Sequence, residues 1–535
     1  MINANEMEQG VGTSLVFGTG GLRALMGDGP ARMNSQTVRL VTQGVADYIL
    51  GQKNWKKGVV VAYDTRNNSR QFAWDAALCL CANGIPVYIF DSNCSTPELS
   101  FAVRHLNCLS GIMITASHNP KEYNGYKLYW ENGGQIISPR DKEIAECISN
   151  IQKLSQIKTL QTEQSMASGR LHVLGSRLRE EYIATVMNYI LRKDIVMQSG
   201  NKMKIIYTPL HGTGCVPVPK LLNRLGLKGL YTVDCQMEPN GDFPTVPVPN
   251  PEIAEVFSDA LNLAQRINGD IILATDPDGD RIGVYEKNLL GDGYIRFDGN
   301  MLGTLLAEYR LATVKEKGAL PDNGLIISTI VSTRMTKKIA EKYGIRYKET
   351  FTGFKYIGQE IDKSKEEGLE FLFGLEESFG CLIGPYIRDK DGIGAAAAVC
   401  EAAAYYRMKG SSLWQQMIRM YEEYGYYRED QLSFSILEVQ GAERMMKRLR
   451  RENSALEHLG GFRIIKIRDY EREGKISNVM YYQLEQESWL CIRPSGTEPK
   501  VKVYTGVRGD TMEEAKLRLQ NLGNAAKELL RRICL

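Results

Sequence analysis

Three aspartates at alternate positions, in Thr275-Asp276-Pro277-Asp278-Gly279-Asp280-Arg281, carry the sharpest chemical signal in this chain. Like charges crowded on a short loop need a counter-charge, and convergent carboxylates offer hard oxygen ligands suited to Mg²⁺, Mn²⁺ or Ca²⁺ rather than zinc. An EF-hand would require glycine where Arg281 stands and a bidentate glutamate where Lys287 stands. Three protein ligands leave the coordination sphere open, which suits a catalytic Mg²⁺ that also takes a phosphate oxygen. A second stretch, Thr115-Ala116-Ser117-His118-Asn119-Pro120, presents one hydroxyl, Ser117, between a small residue and two polar ones. Asn119-Pro120 discourages a return to regular structure, so the hydroxyl sits in a loop. Past an expected turn at Tyr123-Asn124-Gly125, a returning strand Tyr126–Trp130 would bring Lys127 back beside Ser117.

Other stretches suit a phosphorylated polyol. In Gly374-Leu375-Glu376-Glu377-Ser378-Phe379-Gly380, the alternating Glu376 and Ser378 point the same way and bind adjacent hydroxyls. Arg493-Pro494-Ser495-Gly496-Thr497-Glu498-Pro499-Lys500 combines a guanidinium, two hydroxyls and a glycine turn with free amides, a cradle for a phosphate dianion. Thr352-Gly353-Phe354-Lys355 is a further anion-contacting loop. Phe17-Gly18-Thr19-Gly20-Gly21-Leu22-Arg23-Ala24 gives backbone amides room to approach an anion, with Arg23 as a fixed charge. It lacks the G-x-G-x-x-G spacing of a dinucleotide site.

Short apolar strands alternating with helices must position these loops, and that alternation predicts an α/β fold. Strands are expected at 59–63, 86–90, 204–208, 270–274, 325–328 and 371–373, and helices at 34–50, 72–82, 97–106 and from Ser332. Ser138 is expected to cap a helix whose first residue is Pro139. A polar stretch at 160–176 leads to a long helix ending near Leu191. Met237–Pro251 is expected to be an irregular, proline-rich surface loop. An alanine-rich helix follows Asp389-Lys390-Asp391-Gly392, and a last helix follows Thr511, with Glu514 completing a capping box. Ser117 falls at a carboxyl sheet edge, where open α/β sheets place their ligands. Four units result, 1–200, 201–318, 319–424 and 425–535. No repeat is readable by identity, although the first three units could share a structure.

Composition sets the outer limits. With 66 basic and 63 acidic residues, the net charge of +3 provides no global field for nucleic acid. Eleven scattered cysteines without a C-x-x-C pair fit reduced thiols and a cytoplasmic setting. The polar start does not resemble a signal peptide, and no run approaches the roughly 20 apolar residues of a membrane span.

Taken in order, these motifs resemble the α-D-phosphohexomutase superfamily of phosphoglucomutases and phosphomannomutases over nearly the whole chain. Thr115–Pro120 is similar to its phosphoserine loop, Asp276–Arg281 to its metal loop, Glu376–Gly380 to its sugar loop and Arg493–Pro499 to its phosphate-binding loop. Phe17–Ala24 is most similar to the larger bacterial phosphoglucomutases. Two positions depart from common patterns: Leu375 stands where many phosphoglucomutases have glycine, and Phe354 where some phosphomannomutases have histidine.

The resemblance implies four domains around a central cleft, three related α/β domains with mixed sheets and a smaller C-terminal α+β domain. It implies phosphoglucomutase activity, interconverting glucose 1-phosphate and glucose 6-phosphate through a phosphoserine and glucose 1,6-bisphosphate. Phosphomannomutase and phosphopentomutase activity are the alternatives. Ser117, His118, Lys127 and Arg23 would be catalytic, and Asp276, Asp278, Asp280 and a phosphate oxygen on Ser117 would hold one Mg²⁺. Arg281, Lys355, Glu376, Ser378, Arg493, Ser495, Gly496 and Thr497 would bind substrate. The implied partners are small sugar phosphates, with neither nucleic acid nor membrane, for a monomer or weak dimer.

Overall fold

Uninterrupted apolar runs such as Val59–Tyr63 and Ile271–Thr275 form strands buried on both faces, as parallel sheets covered by helices require. The structure, a computed structural model, describes residues 21–435, 439–452, 456–473, 477–494 and 500–534. The first sheet contains β1 (Leu22–Leu25), β2 (Val59–Tyr63), β3 (Val87–Phe90), β4 (Ser110–Ile114), β5 (Tyr123–Trp130) and β6 (Leu171–Leu174). The second contains β7 (Ile205–Thr208), β8 (Leu230–Thr232), β9 (Ile271–Thr275), β10 (Ile282–Lys287) and β11 (Tyr294–Phe297). The third contains β12 (Gly324–Thr329), β13 (Arg346–Thr350), β14 (Glu370–Glu376) and β15 (Gly380–Leu382).

One topology recurs in all three. Spatial orders β5-β4-β2-β3, β10-β9-β7-β8 and β15-β14-β12-β13 are the same arrangement. A first strand pairs in parallel with the second and third on either side, and the third then reverses into an antiparallel fourth. The Ser117 loop is the β4–β5 reversal, the aspartate loop the β9–β10 reversal, and Glu376–Ser378 the β14–β15 reversal. Three chemically different loops therefore occupy equivalent places in three like units.

The fourth sheet, β16 (Tyr426–Ser435), β17 (His458–Leu459), β18 (Phe462–Asp469), β19 (Met480–Leu484), β20 (Trp489–Pro494) and β21 (Lys500–Gly509), is antiparallel throughout. Helices Val439–Glu452 and Met512–Cys534 share one core with it. Its other face carries Tyr470, Tyr481, Trp489 and Tyr504 against Ile330 and Val331 of the third unit.

A single core runs through the first three units, joining Val60 and Met113, Ile205 and Leu273, and Leu325 and Phe373. The helix Gly392–Met408 lies in it, buried along almost its whole length. Its alanines let neighbouring elements approach closely on every side. No helix among the described residues is long and apolar enough to cross a membrane. The ten described cysteines are all free thiols.

Several sequence expectations need correction. Tyr123-Asn124-Gly125 is not a turn but the start of β5, paired with β1, and the reversal lies before it. The helix expected from Pro139 begins at Arg140, with Pro139 in the capping position and no side-chain cap. The helix expected from Ser332 begins at Met335. Within 160–176 lies β6, an edge strand on β3, and the expected long helix ends at Met187 before a second one, Lys193–Ser199. Elsewhere the elements lie within a few residues of expectation, including the helix Ser35–Leu50 capped by Asn34.

Candidate active site

Ser117 sits just past the buried end of β4 with φ +53°, a left-handed backbone that a non-glycine residue rarely adopts. That geometry aims its Oγ across to the second unit, where it donates to Asp276 Oδ2 at 2.8 Å. His118 Nδ1 lies 3.1 Å from the same Oγ. Lys127 pairs with Met113 across the β4–β5 ladder, and its side chain reaches the aspartate loop of the second unit. Its Nζ donates to Asp278 Oδ2 at 2.6 Å and lies 3.5 Å from Asp280 Oδ2.

The three aspartates are buried, and their ligand oxygens lie within 4.8 Å of one another. Gly279, at φ +71°, makes the tight loop possible. All three α/β units grip this loop by its backbone. The Asp278 carbonyl accepts from Thr96 N at 2.8 Å, the Pro277 carbonyl from Thr213 N at 2.8 Å, and the Gly279 carbonyl from Gly392 N at 3.1 Å. Asp278 Oδ1 and Asp280 Oδ1 are buried without a hydrogen-bond partner among the described residues. Buried carboxylate oxygens without a hydrogen-bond donor fit the hard oxygen ligation of a divalent cation.

Electrostatics bind the cluster together. Burial, reinforced by Asp278 and Asp280, pushes the Asp276 carboxyl well above the usual carboxylate range. Burial acts the same way on Asp278, but Lys127 outweighs it and holds that carboxyl low. Lys390 Nζ sits 3.1 Å from Asp280 Oδ2, and its pKa is raised because Asp280, Asp389 and Glu376 overcome its burial. Burial, followed by the charges of Arg281 and Arg23, lowers the His118 imidazole well below its ordinary value.

The remaining predicted residues line the approaches. Arg23, on β1, donates to Asn119 Oδ1 of the serine loop at 3.0 Å. Arg281 pairs with Glu252, and its backbone N–H donates to Asp276 Oδ1 at 3.0 Å. Glu376 Oε1 accepts from Gly353 N at 2.7 Å, and burial raises its pKa to about 7 against the pull of Lys390. Ser378 lies half-buried at the tip of the β14–β15 reversal. Lys355 opens the helix Phe354–Glu366, where burial lowers its pKa and the charges of Asp141 and Arg493 both reach it. Arg493, near the end of β20, pairs in register with Lys502 of β21. Ser495, Gly496 and Thr497 lie outside the described residues.

The structure thus gathers Ser117, His118, Lys127 and the three aspartates into direct contact, with Arg23 one residue removed. Glu376 and Ser378 belong to a separate patch, joined to the aspartates through Lys390. Sequence reading missed Lys390, Thr96, Asp64 and Arg66. Lys390 stands between two aspartates ahead of a helix start, and that alternation of opposite charges was the available signal. Asp64-Thr65-Arg66 follows directly on a fully apolar strand, so its polar groups had to fall at the sheet edge.

Similarity to known proteins extends over nearly the whole chain. Family profiles of phosphoglucomutase/phosphomannomutase match it as alpha/beta/alpha domain I over residues 14–155, domain II over 180–291, domain III over 298–423 and the C-terminal domain over 451–522. A phosphoglucomutase of Staphylococcus epidermidis is 34% identical over 525 residues, covering 95% of this chain and 93% of that protein. The human phosphopentomutase is 35% identical over 563 residues, covering 98% and 91%. Among solved structures, the open form of parafusin, a phosphoglucomutase from Paramecium, has a TM-score of 0.72 at 20% identity, covering 97% and 94%. A phosphoglucomutase/phosphomannomutase family protein from Burkholderia thailandensis also reaches 0.72, at 18% identity and 97% coverage of each chain.

Proposed function

This chain belongs to the phosphoglucomutase/phosphomannomutase family, and on that premise we propose that it interconverts glucose 1-phosphate and glucose 6-phosphate through a phosphorylated Ser117. It is an isomerase of the phosphohexomutase class. The observation that carries the reading is the approach of Ser117 Oγ to 2.8 Å from Asp276, at the edge of a buried three-aspartate cluster.

Asp276, Asp278 and Asp280 would hold one Mg²⁺ together with an oxygen of the phosphate on Ser117. When bound, the ion neutralises charge on the transferring phosphoryl group. In the forward step the Oγ–P bond of phosphoserine breaks, and a bond forms between phosphorus and a free hydroxyl of the sugar monophosphate. That hydroxyl gives up its proton, and Ser117 regains one in the dephosphorylated enzyme. Arg23, His118 and Lys127 surround this exchange and stabilise its charge, the largest lever in such a transfer. The resulting glucose 1,6-bisphosphate turns over and returns its other phosphate to Ser117.

Glu376 and Ser378 would hold the sugar's 3- and 4-hydroxyls in either orientation. Arg493, with Ser495, Gly496 and Thr497, would grip the spectator phosphate, and Arg281 and Lys355 would add positive charge along the cleft. Phosphopentomutase activity is the second reading, because human and mouse phosphopentomutases are as similar to this chain as the bacterial phosphoglucomutases are.

Turnover measurements test the proposal. Ser117→Ala is expected to keep the fold and lose turnover to background. Wild-type activity is expected to need Mg²⁺ and to rise with catalytic glucose 1,6-bisphosphate. Release of inorganic phosphate in place of isomerised sugar would indicate a phosphatase and overturn the reading. Relative kcat/KM for glucose, mannose and ribose 1-phosphates decides among the mutases.

A further inference from the structure

Ser117 holds a left-handed backbone that its side chain disfavours, so something outside the loop must impose it. The structure supplies that constraint on both sides of the residue. On the amino side, Ser117 N donates to Thr115 Oγ1 at 2.8 Å, and Thr115 Oγ1 donates to Asp64 Oδ2 at 2.6 Å. Asp64 Oδ1 also accepts from Ser69 Oγ at 2.6 Å and Arg66 N at 3.0 Å. On the carbonyl side, one guanidinium collects the loop. Arg66 Nη2 donates to the Ser117 carbonyl at 2.6 Å and to the Asn119 carbonyl, while Nη1 donates to Pro120 at 2.9 Å and Tyr123 at 3.1 Å.

Arg66 itself is locked. Its side chain is 0% exposed, its Nε lies 3.4 Å from Asp64 Oδ2, and its guanidinium carbon lies 5.0 Å from the centre of the Phe243 ring. Phe243 belongs to the irregular 237–251 segment of the second unit, so that segment braces the serine loop from outside. No hydrogen bond joins Arg66 to a catalytic side chain among those described, and every hydrogen bond of its two Nη atoms goes to a backbone carbonyl of the loop or of the strand start beyond it.

The other two units brace their reversal loops from the same place, the end of the first strand and the loop after it. In the second, Thr213 N and Oγ1 both donate to the Pro277 carbonyl, at 2.8 and 2.9 Å. In the third, Thr329 and Ser332 hydroxyls donate to Glu377 Oε2 at 2.9 and 3.2 Å. Among the described residues, only the first unit has as its brace a charged fork that gathers four carbonyls.

We propose that Arg66 is a positioning residue for phosphoryl transfer: with Asp64 and Thr115 it holds the Ser117 backbone so that Oγ faces the aspartate cluster, and it therefore governs turnover rather than substrate affinity. This inference rests on Ser117 being the phosphoryl carrier. A lysine keeps the charge that Asp64 needs but has three donors radiating from one atom, so it cannot reproduce the planar fork over four carbonyls. A misplacement of about 1 Å at a reacting atom costs on the order of 10²-fold in rate.

The test measures kcat, KM for glucose 1-phosphate and Tm on the full chain for wild type, Arg66→Lys and Thr115→Val. Arg66→Lys is expected to lower kcat about 100-fold while KM and Tm stay close to wild type, and Thr115→Val is expected to move kcat in the same direction. Wild-type kcat in Arg66→Lys overturns the proposal. So does a loss in which KM rises and Tm falls in step with kcat, the signature of a structural strut. If Arg66→Lys does not fold, Thr115→Val decides by the same criteria. Absence of mutase activity in the wild type instead counts against the functional reading, so the two failures are distinguishable.

Discussion

At the scale of single residues, Glu376 couples activity and stability in opposite directions. Its carboxyl is raised to about 7 from the ordinary 4.5, by burial first, with Lys390 the main opposing influence. A carboxylate is needed to accept hydrogen bonds from sugar hydroxyls, so kcat/KM is expected to fall as pH drops from about 8 to about 6 through this group. The stability effect has the other sign. Because the folded pKa lies above the unfolded one, protonation of Glu376 stabilises the fold, fully below 4.5 and progressively less as pH rises toward 7. Glu376→Gln is thus expected to lose activity at pH 8 while its Tm gains on wild type as pH rises. Parallel pH profiles of kcat/KM and Tm for the two proteins check this, and a Gln variant that keeps the wild-type activity profile would refute it. The aspartate loop was legible in the sequence because three carboxylates so close together have few structural uses. Arg66 was not, because its partners are carbonyls, which every residue carries.

At the scale of elements, three reversal loops in equivalent places divide the chemistry among them. The motif residues named these loops, and the strand–helix alternation placed each at a sheet edge. Their equivalence was hidden, because it resides in strand order and not in side-chain identity. The strand β6 was missed for a related reason: Leu171-His172-Val173-Leu174 is short and exposes His172 and Val173 at a sheet edge, so no buried apolar run marks it. Close packing between elements makes a prediction at Gly392, the first residue of the central alanine-rich helix. A Cβ there would lie 2.5 Å from the Arg281 carbonyl oxygen and 2.9 Å from that of Gly279. In an open helix, Gly→Ala stabilises by roughly 0.5–1 kcal/mol. Here the added methyl pushes on the backbone of the aspartate loop, so Gly392→Ala is expected to destabilise the protein and weaken Mg²⁺ activation. Thermal unfolding and a Mg²⁺ titration of activity check this, and a stabilised variant with unchanged Mg²⁺ dependence would refute it.

At the scale of the whole molecule, the first three units share a core and the fourth has its own. The passage between them is narrow. The helix Leu413–Tyr424 ends at Gly425, whose φ of +102° turns the chain directly into β16. Contact across that boundary centres on the apolar cluster in which Ile330 and Val331 meet Tyr470, Tyr481, Trp489 and Tyr504. Tyr470 meets Phe351 edge to face with ring centres 5.0 Å apart, Arg334 donates to the Tyr481 hydroxyl, and Lys338 lies 3.4 Å from Glu487. The fourth sheet carries the proposed phosphate grip at Arg493, whereas the proposed phosphoryl carrier and metal ligands belong to the first two units. Weakening the boundary should therefore loosen substrate binding before it disturbs the chemistry. Tyr470→Ala removes an aromatic pair worth about 0.5–1.5 kcal/mol beyond its buried area, and it leaves the fourth unit's own core intact because Tyr470 lies on the opposite face. A loss near 1.4 kcal/mol corresponds to about tenfold in affinity. KM for sugar phosphate is accordingly expected to rise roughly tenfold with a much smaller change in kcat. Steady-state kinetics on folded Tyr470→Ala decide it: a fall in kcat at unchanged KM would mean that the fourth sheet takes part in transfer itself, and that the division of labour among the units is not the one drawn here.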